Sequence, residues 1–515
     1  MKSKTGTYSI ILGFTSLLLV ACSGGGNGGT PAIPTTGKIS GQVFNGESGA
    51  AIVAATISAG GQTTTTGTDG RYLLQNVNFN DRVVVDIKRT GFAEQSKITQ
   101  LSAQATEAVL PVMLLPINLT QTFDPNIEQT LQVADTTASV TLIASSLVTA
   151  NGNSPEGNVT IELTVIDPTV DIELMPGNMQ TDTGADTLSP IESFGAIVIN
   201  FTDSVGNELD LVQGSTATIQ IPLTDKTGSP PATVPLYFYN ESTGLWVEEG
   251  SATLITDGAD SYYRGTVSHF STWNADFLYS QVIINGCVED LSGARIPGAS
   301  VISVGDDYSG TSSTVTDSTG AYSIIVKQNA SVLISGLQVG VKTNTIKIPT
   351  TTSEQTIDEC LMFSTGGQVN NTAVSVKLSW GESPQDLDAY LVGPADSGVF
   401  VFFATPGSLL ELPFSQLDVD DRDSFGPEII TVFSFPFAGN YRYSVHNFSG
   451  TFIPGITSSP ARVELNTNGE VAVFMPPAGE ENNITWDVFD FIVADDGSFT
   501  VVPVNTWSNL APLAN

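Results

Sequence analysis

Two short runs of carboxylates could do the most chemistry in this chain. Asp386 and Asp388 stand two apart around Leu387, and on an extended backbone both project to one side while the leucine points to the other. Asp418, Asp420, Asp421, Asp423 and Glu428 follow in a turn-rich stretch whose one nearby base is Arg422. If the two runs meet, like-charge repulsion raises their pKa values or opens the loop unless a cation compensates. Calcium suits such a set, because it is a hard ion that accepts many carboxylate and carbonyl oxygens in irregular geometry. The spacing therefore predicts a calcium site drawn from Asp386, Asp388, Asp418, Asp420, Asp423 and Glu428. It is not an EF-hand, since the central Gly and terminal Glu of that loop are missing. The alternative is a solvated acidic loop in a chain that is acidic throughout.

His269, Phe270 and Ser271 form a second constellation. A base beside a hydroxyl, on a turn that can hold strain, has the parts of an activated nucleophile. Residues 265–274 resemble the last strands of self-cleaving domains in adhesion receptors and death-domain scaffold proteins, without the flanking cysteines of the receptor form. That resemblance implies that His269 deprotonates Ser271, which attacks the Phe270 carbonyl. The other reading is a strand, with His269, Ser271 and Trp273 on one face and Phe270 and Thr272 on the opposite one. No Gly-x-Ser-x-Gly elbow, His-Glu-x-x-His, phosphate-binding Gly loop or Cys-x-x-Cys occurs in the sequence. With two histidines and three cysteines, metal-hydrolase and thiol chemistry lack ligands, so the expectation is a protein that is not an enzyme.

The elements that must position these residues are strands. Apolar residues alternate in short runs such as 83–87 and 374–378, and no long helical period follows the N-terminal segment. The fold class is all-β, as tandem β-sandwich domains joined by short linkers. Lys+Arg number 18 against 53 Asp+Glu, a formal net charge of -35. Such a surface repels polyanions, which excludes nucleic acid as a partner. The last third is also rich in aromatics (Phe400, Phe402, Phe403, Phe433, Phe435, Phe437, Tyr441, Tyr443), which alternation assigns to a sandwich core rather than to an exposed sugar-stacking row. His446 reads as a structural strand residue.

The N-terminus explains how such a protein would be held. Lys2 and Lys4 precede an apolar run over 10–20, too short to span a bilayer as a helix, which ends in Leu19-Val-Ala-Cys22. This resembles the lipobox of bacterial lipoproteins, which implies cleavage before Cys22 and its acylation, with a membrane as partner through the lipid anchor. An ordinary secreted protein cut nearby is the alternative. Ser23 in place of Asp implies, by resemblance to Gram-negative sorting, the outer membrane. With Cys22 acylated, Cys287 and Cys360 remain as one pair in an oxidising compartment, which points to a disulfide, or else to two buried thiols.

After the signal (1–22) and a Gly-rich spacer (23–36), an order of motifs occurs twice. Gly41-Gln-Val43, Ala55-Thr-Ile57 and Asp69-Gly70-Arg-Tyr72 in 37–117 return as Gly286-Cys-Val288, Ala299-Ser-Val301 and Asp317-Ser-Thr-Gly320-Ala-Tyr322 in 279–363. Both copies resemble the carboxypeptidase regulatory-like domain, a transthyretin-like sandwich that serves as an accessory module. Asp69-Gly70 reads as a hairpin turn. Residues 118–278 form a middle sandwich ending in the His-Phe-Ser strand. Residues 364–515 form an acidic sandwich whose Trp380, Asp386-Leu-Asp388, Leu417-Asp-Val-Asp420 and Gly426-Pro-Glu428 resemble a family of bacterial extracytoplasmic domains similar to prepeptidase C-terminal sandwiches. The whole reads as a string of sandwiches with the acidic module at its far end. Its expected role is adhesion, envelope organisation or capture of a protein or glycan ligand. The alternative is a self-cleaving module, or an accessory of a carbohydrate-active or peptidase system.

Overall fold

A computed structural model describes residues 34–184, 188–364, 373–467 and 469–513. Cys22 and the spacer up to residue 33 lie outside the described residues. Among the described residues the regular structure is β, save for one 3-10 turn, Ile172–Leu174, where the Asp171 side chain accepts from Glu173 N.

The two repeats share one topology. In the first, strand Thr36–Asn45 lies between Arg71–Asn78 and the parallel pair Glu107–Val109 and Val112–Leu114. The facing sheet has the order Gln62–Thr65, Thr56–Ala59, Asn80–Lys88, Gln95–Leu101. The second repeats this strand for strand, with Gln281–Asp290 between Ala321–Lys327 and the parallel Gln355–Thr356 and Leu361–Phe363. The recurring residues have a common physical task. Gly41 lies opposite Tyr72 and Gly286 opposite Tyr322. A Cβ on either glycine would come within 2.9 Å and 2.4 Å of the tyrosine hydroxyl, so the missing side chain is what lets the ring lie across the strand.

Asp69-Gly70 is not a hairpin. The strands on either side, Gln62–Thr65 and Arg71–Asn78, belong to opposite sheets, so the turn carries the chain across the sandwich. A buried threonine at the crossing supplies the reason. Thr66 Oγ1 accepts from Ala55 N at 2.9 Å and donates to Ile52 O at 2.6 Å. Thr316 makes the same pair of bonds, with Ala299 N at 2.9 Å and Ile296 O at 2.7 Å. Each threonine stitches the crossing to the next strand and satisfies backbone groups that no ladder reaches.

The middle region has an eleven-stranded sheet running from Gln129–Gln132 at one edge to Leu119–Phe123 at the other, and a two-stranded sheet of Leu147–Thr149 with Leu209–Leu211. It closes around a core that includes Phe123, Leu163, Phe201, Tyr263 and Trp273. The C-terminal sandwich packs a six-stranded sheet, with Glu428–Val432 beside Val374–Ser379, on a five-stranded one, with Leu387–Val392 beside Gly439–Asn447. Trp380, Trp486, Tyr441 and Tyr443 are buried in its centre, whereas Phe403 and Phe437 are 40% and 38% exposed, so the aromatic run divides between core and surface.

The sandwiches do not hang as a string. Within the compact unit Thr35–Asn515 the last domain packs back on the first, where Arg71 Nη1 meets Glu470 Oε1 at 2.7 Å. Arg82 reaches the middle domain at Thr243 O and Asn178 Oδ1, both 2.9 Å away. Lys327 of the second repeat pairs with Glu192 of the middle domain at 2.7 Å. Phe44, Met113, Tyr237 and Trp246 form an apolar cluster against which Val304, Val471 and Val473 pack, so all four sandwiches share it. Apolar faces left uncovered by each small sandwich are removed from water here. A cavity of about 1360 Å³, lined by Val109, Tyr308, Lys377, Ile429 and Val471 among others, remains where the four meet.

Candidate cation site

The two acidic runs do meet. Ser424 N donates to Gln385 O at 2.9 Å and Phe425 N to Gly381 O at 3.0 Å, which pins the second run along the first. Gly426 makes the approach possible: at φ +67° it lies on the Trp380 indole, and a Cβ there would come within 2.5 Å of the ring. Past this contact Glu428 enters its strand opposite Leu378, while Asp388 stands opposite His446 in the other sheet.

The result is a cluster of Asp388, Asp420 and Glu428 in which one carboxylate oxygen from each lies within 4.8 Å of the others. Oxygens that share one calcium at about 2.4 Å can be no farther apart than this, so a single ion can touch all three. Asp388 is 2% and Glu428 0% exposed, whereas Asp420 is exposed. Glu428 Oε2 accepts from the Ala389 amide, which fixes that carboxyl across the end of the sandwich. The remaining oxygens, Asp388 Oδ2 and Glu428 Oε1, are buried without a hydrogen-bond partner, as is Asp386 Oδ1. Buried charge without a partner is costly. Burial, with Asp386 and Asp420 adding repulsion, pushes the Asp388 carboxyl up to about 7. Burial also drives Glu428 well above the usual carboxylate range, and raises Asp386, with Asp420 contributing. Asp386, one of the predicted ligands, is not part of the three-carboxylate cluster; a divalent cation there would offset the cost of burying Asp388 and Glu428.

Other members of the predicted set lie elsewhere. Asp418 turns to the second repeat, where Oδ2 accepts from Thr345 N at 2.8 Å, and it also accepts from Thr431 Oγ1 of its own sandwich at 2.7 Å. The cause is a register shift between Leu417 and Val419, which breaks the alternation that would have placed Asp418 and Asp420 on one side. Asp423 is exposed and donates its amide to Asp421 Oδ1 at 3.1 Å. Asp421, not among the predicted ligands, is 4.0 Å from Lys347 of the second repeat.

His269 and Ser271 are each engaged apart from the other. The serine hydroxyl donates to Tyr239 O at 3.0 Å. The imidazole packs between Phe238 and Trp273, with Nε2 3.7 Å from Glu249 Oε2. Phe270 packs on Phe201 with ring centroids 4.5 Å apart, and its amide donates to Asp210 Oδ1 at 3.1 Å. In this arrangement the Ser271 hydroxyl bonds to a backbone carbonyl and the His269 ring packs among aromatic side chains. The Cys287 and Cys360 sulfurs are bonded, joining the first strand of the second repeat to the start of its last.

A further cluster has no signal in the sequence. Asp171 and Glu173 of the middle domain meet Lys377, Arg462 and Glu464 of the C-terminal one, with Lys377 Nζ 3.3 Å and Arg462 Nε 3.2 Å from Glu464. Lys377 alternates with Val376 and Leu378 and so reads as solvent-facing, yet another domain covers it.

No protein-family model matches the chain, and comparison with curated proteins gives no match. Among solved structures, the Bacillus anthracis TIE protein is similar at 11% identity over 64% of this chain and 51% of that one, with a TM-score of 0.15. The chain thus spans about half the length of that protein. BcpA, the major pilin subunit of Bacillus cereus, is similar at 9% identity over 64% and 99% of the two chains, TM-score 0.14. The full-length major pilin SpaD from Corynebacterium diphtheriae is similar at 9% identity over 64% and 98%, TM-score 0.16. At TM-scores this low none of these likenesses assigns a role to this chain.

Proposed function

We propose that this chain is an envelope-tethered, non-enzymatic binding or structural protein whose C-terminal sandwich is stabilised by calcium. The observation that carries the reading is the convergence of Asp388 and Glu428, both buried with an unpartnered oxygen, on Asp420. A carboxylate set kept ionised by a bound ion is a poor proton donor, so the cluster serves structure or binding rather than acid–base catalysis. The lipobox-like Leu19-Val-Ala-Cys22 supports a lipid tether and an outer-membrane location. The accessory character of the resembled repeat domains supports a scaffolding role.

Calorimetry with calcium, and thermal melts with calcium and with chelator, test the ion. Saturation at a hundred times the dissociation constant adds about 2.7 kcal/mol of stability. No heat and no shift of the melt would remove calcium from the account. Fractionation of the natural chain beside Cys22→Ser tests the tether, which predicts that the variant leaves the membrane fraction.

A further inference from the structure

A ledge of aromatic rings starts at the cation cluster and ends in solvent. Asp388 lies opposite His446, and Tyr390 is two residues on along the same strand, so alternation puts these three on one face of the sheet. The Tyr390 ring meets His446 at 5.9 Å and stacks on Phe402 at 5.0 Å with 17° between the planes. Phe402 contacts Phe403 at 5.0 Å, and Phe403 contacts Phe448 at 5.5 Å. Tyr390 is 5% exposed, whereas Phe403 and Phe448 are 40% and 55% exposed. The outer rings are therefore presented to water but held from behind, losing little freedom on binding. Ser449 N donates to Asp386 O at 3.2 Å, which ties the Phe448 loop directly to the acidic run.

We infer that the cation cluster and this ledge form one binding site for a neutral glycan carrying vicinal hydroxyls. The inference rests on the calcium reading and names the ligand class of the same site. Calcium takes six to eight oxygens, and three carboxylates that give one oxygen each leave positions to water on the exposed Asp420 side. Two adjacent hydroxyls of one sugar residue can replace two such waters while the apolar face of another residue of the same glycan lies on Phe403 and Phe448. Charge selects against acidic sugars. Asp386, Asp388, Asp420 and Glu428 outweigh one divalent ion, and the chain as a whole carries -35.

The test uses the full chain on an array of neutral-hexose and uronate oligosaccharides, in calcium and in chelator, beside vesicles of phosphatidylethanolamine and phosphatidylglycerol. Calcium binding is followed separately by calorimetry. The expected result is retention on neutral glycans in calcium and its loss in chelator. Phe448→Ala and Phe403→Ala should each weaken retention about tenfold while leaving calcium binding unchanged. Calcium binding without retention on any neutral glycan overturns this inference and spares the calcium reading. Absence of calcium binding overturns both. Retention on uronates alone, or on vesicles in place of glycans, overturns the ligand class.

Discussion

Asp171 and Lys377 are 206 residues apart in sequence, and their carboxylate and ammonium groups meet at 2.7 Å across the boundary between the middle and C-terminal sandwiches. Arg462, whose side chain is 2% exposed, donates to the same Asp171 oxygen. Burial by itself would raise the Asp171 pKa, but Lys377 and Arg462 outweigh it and hold the carboxyl below the usual range. A depressed folded-state value adds stability above the unfolded pKa of about 3.9, and that stability fades as pH falls toward the folded value.

Asp171→Ala leaves Lys377 and Arg462 with Glu464 as their one remaining shared carboxylate among the described residues. It should cost about 3–5 kcal/mol at neutral pH, as read by denaturant unfolding. A cost close to zero would mean that the domain boundary is open in solution.

Glu428→Gln separates the two faces of the cation cluster. In chelator the variant loses a buried charge that has no counter-ion, so it should melt above the natural chain. In calcium it loses a ligand and should melt below it. Curves that keep the same order in both conditions would contradict a cation at Glu428.

The run 418–421 serves two jobs. Asp418 binds Thr345 of the second repeat and Val419 packs on Leu333, Asp420 joins the cation cluster, and Asp421 faces Lys347. Ion binding and docking of the second repeat must then influence each other by the same factor. Leu333→Ala, which removes no carboxylate of the cluster, should lower calcium affinity about fivefold or more by calorimetry. Unchanged affinity in a folded variant would uncouple the two.

Asp276 is fully buried in the middle domain, with Oδ2 accepting from Asn274 at 2.6 Å and Oδ1 unpartnered. Burial raises its pKa well above the usual value, and Glu192 adds to this. The folded state therefore keeps a proton that the unfolded chain releases, and stability falls as pH rises above about 4. Asp276→Asn should stabilise the protein at pH 7 by on the order of 1 kcal/mol, with the gain vanishing in acid. A pH-independent difference would refute the assignment.

A denaturing gel of the natural protein should show one full-length band, identical to that of Ser271→Ala. Two fragments meeting at Phe270 and Ser271 would show that the packed arrangement of His269 and Ser271 opens to a reactive one.

The repeats were legible in the sequence because their signals are local: Gly41 with Tyr72, and Gly286 with Tyr322, encode a close approach that only a missing side chain permits. Two carboxylate runs likewise announced a cluster. Period-two alternation, however, could not foresee the register shift at Leu417 and Val419 that parts Asp418 from Asp420. Nor could the Asp69-Gly70 turn reveal that it joins opposite sheets, since a turn dipeptide fixes dihedral angles and not the partner of the next strand. Closure of the four domains was hidden for a similar reason. Asp171, Lys377 and Arg462 are isolated residues whose meaning depends on a neighbour hundreds of positions away.

The Arg71–Glu470 contact closes a loop of 399 residues, and the entropy of such a closure grows only with the logarithm of its length. Doubling the tether adds about 0.6 kcal/mol, less than the loss of one good buried contact. Variation among descendants of this architecture should therefore fall freely on the connecting segments and sparingly on the faces. An insertion between domains would be nearly silent, whereas one substitution at a shared face would be felt in all four.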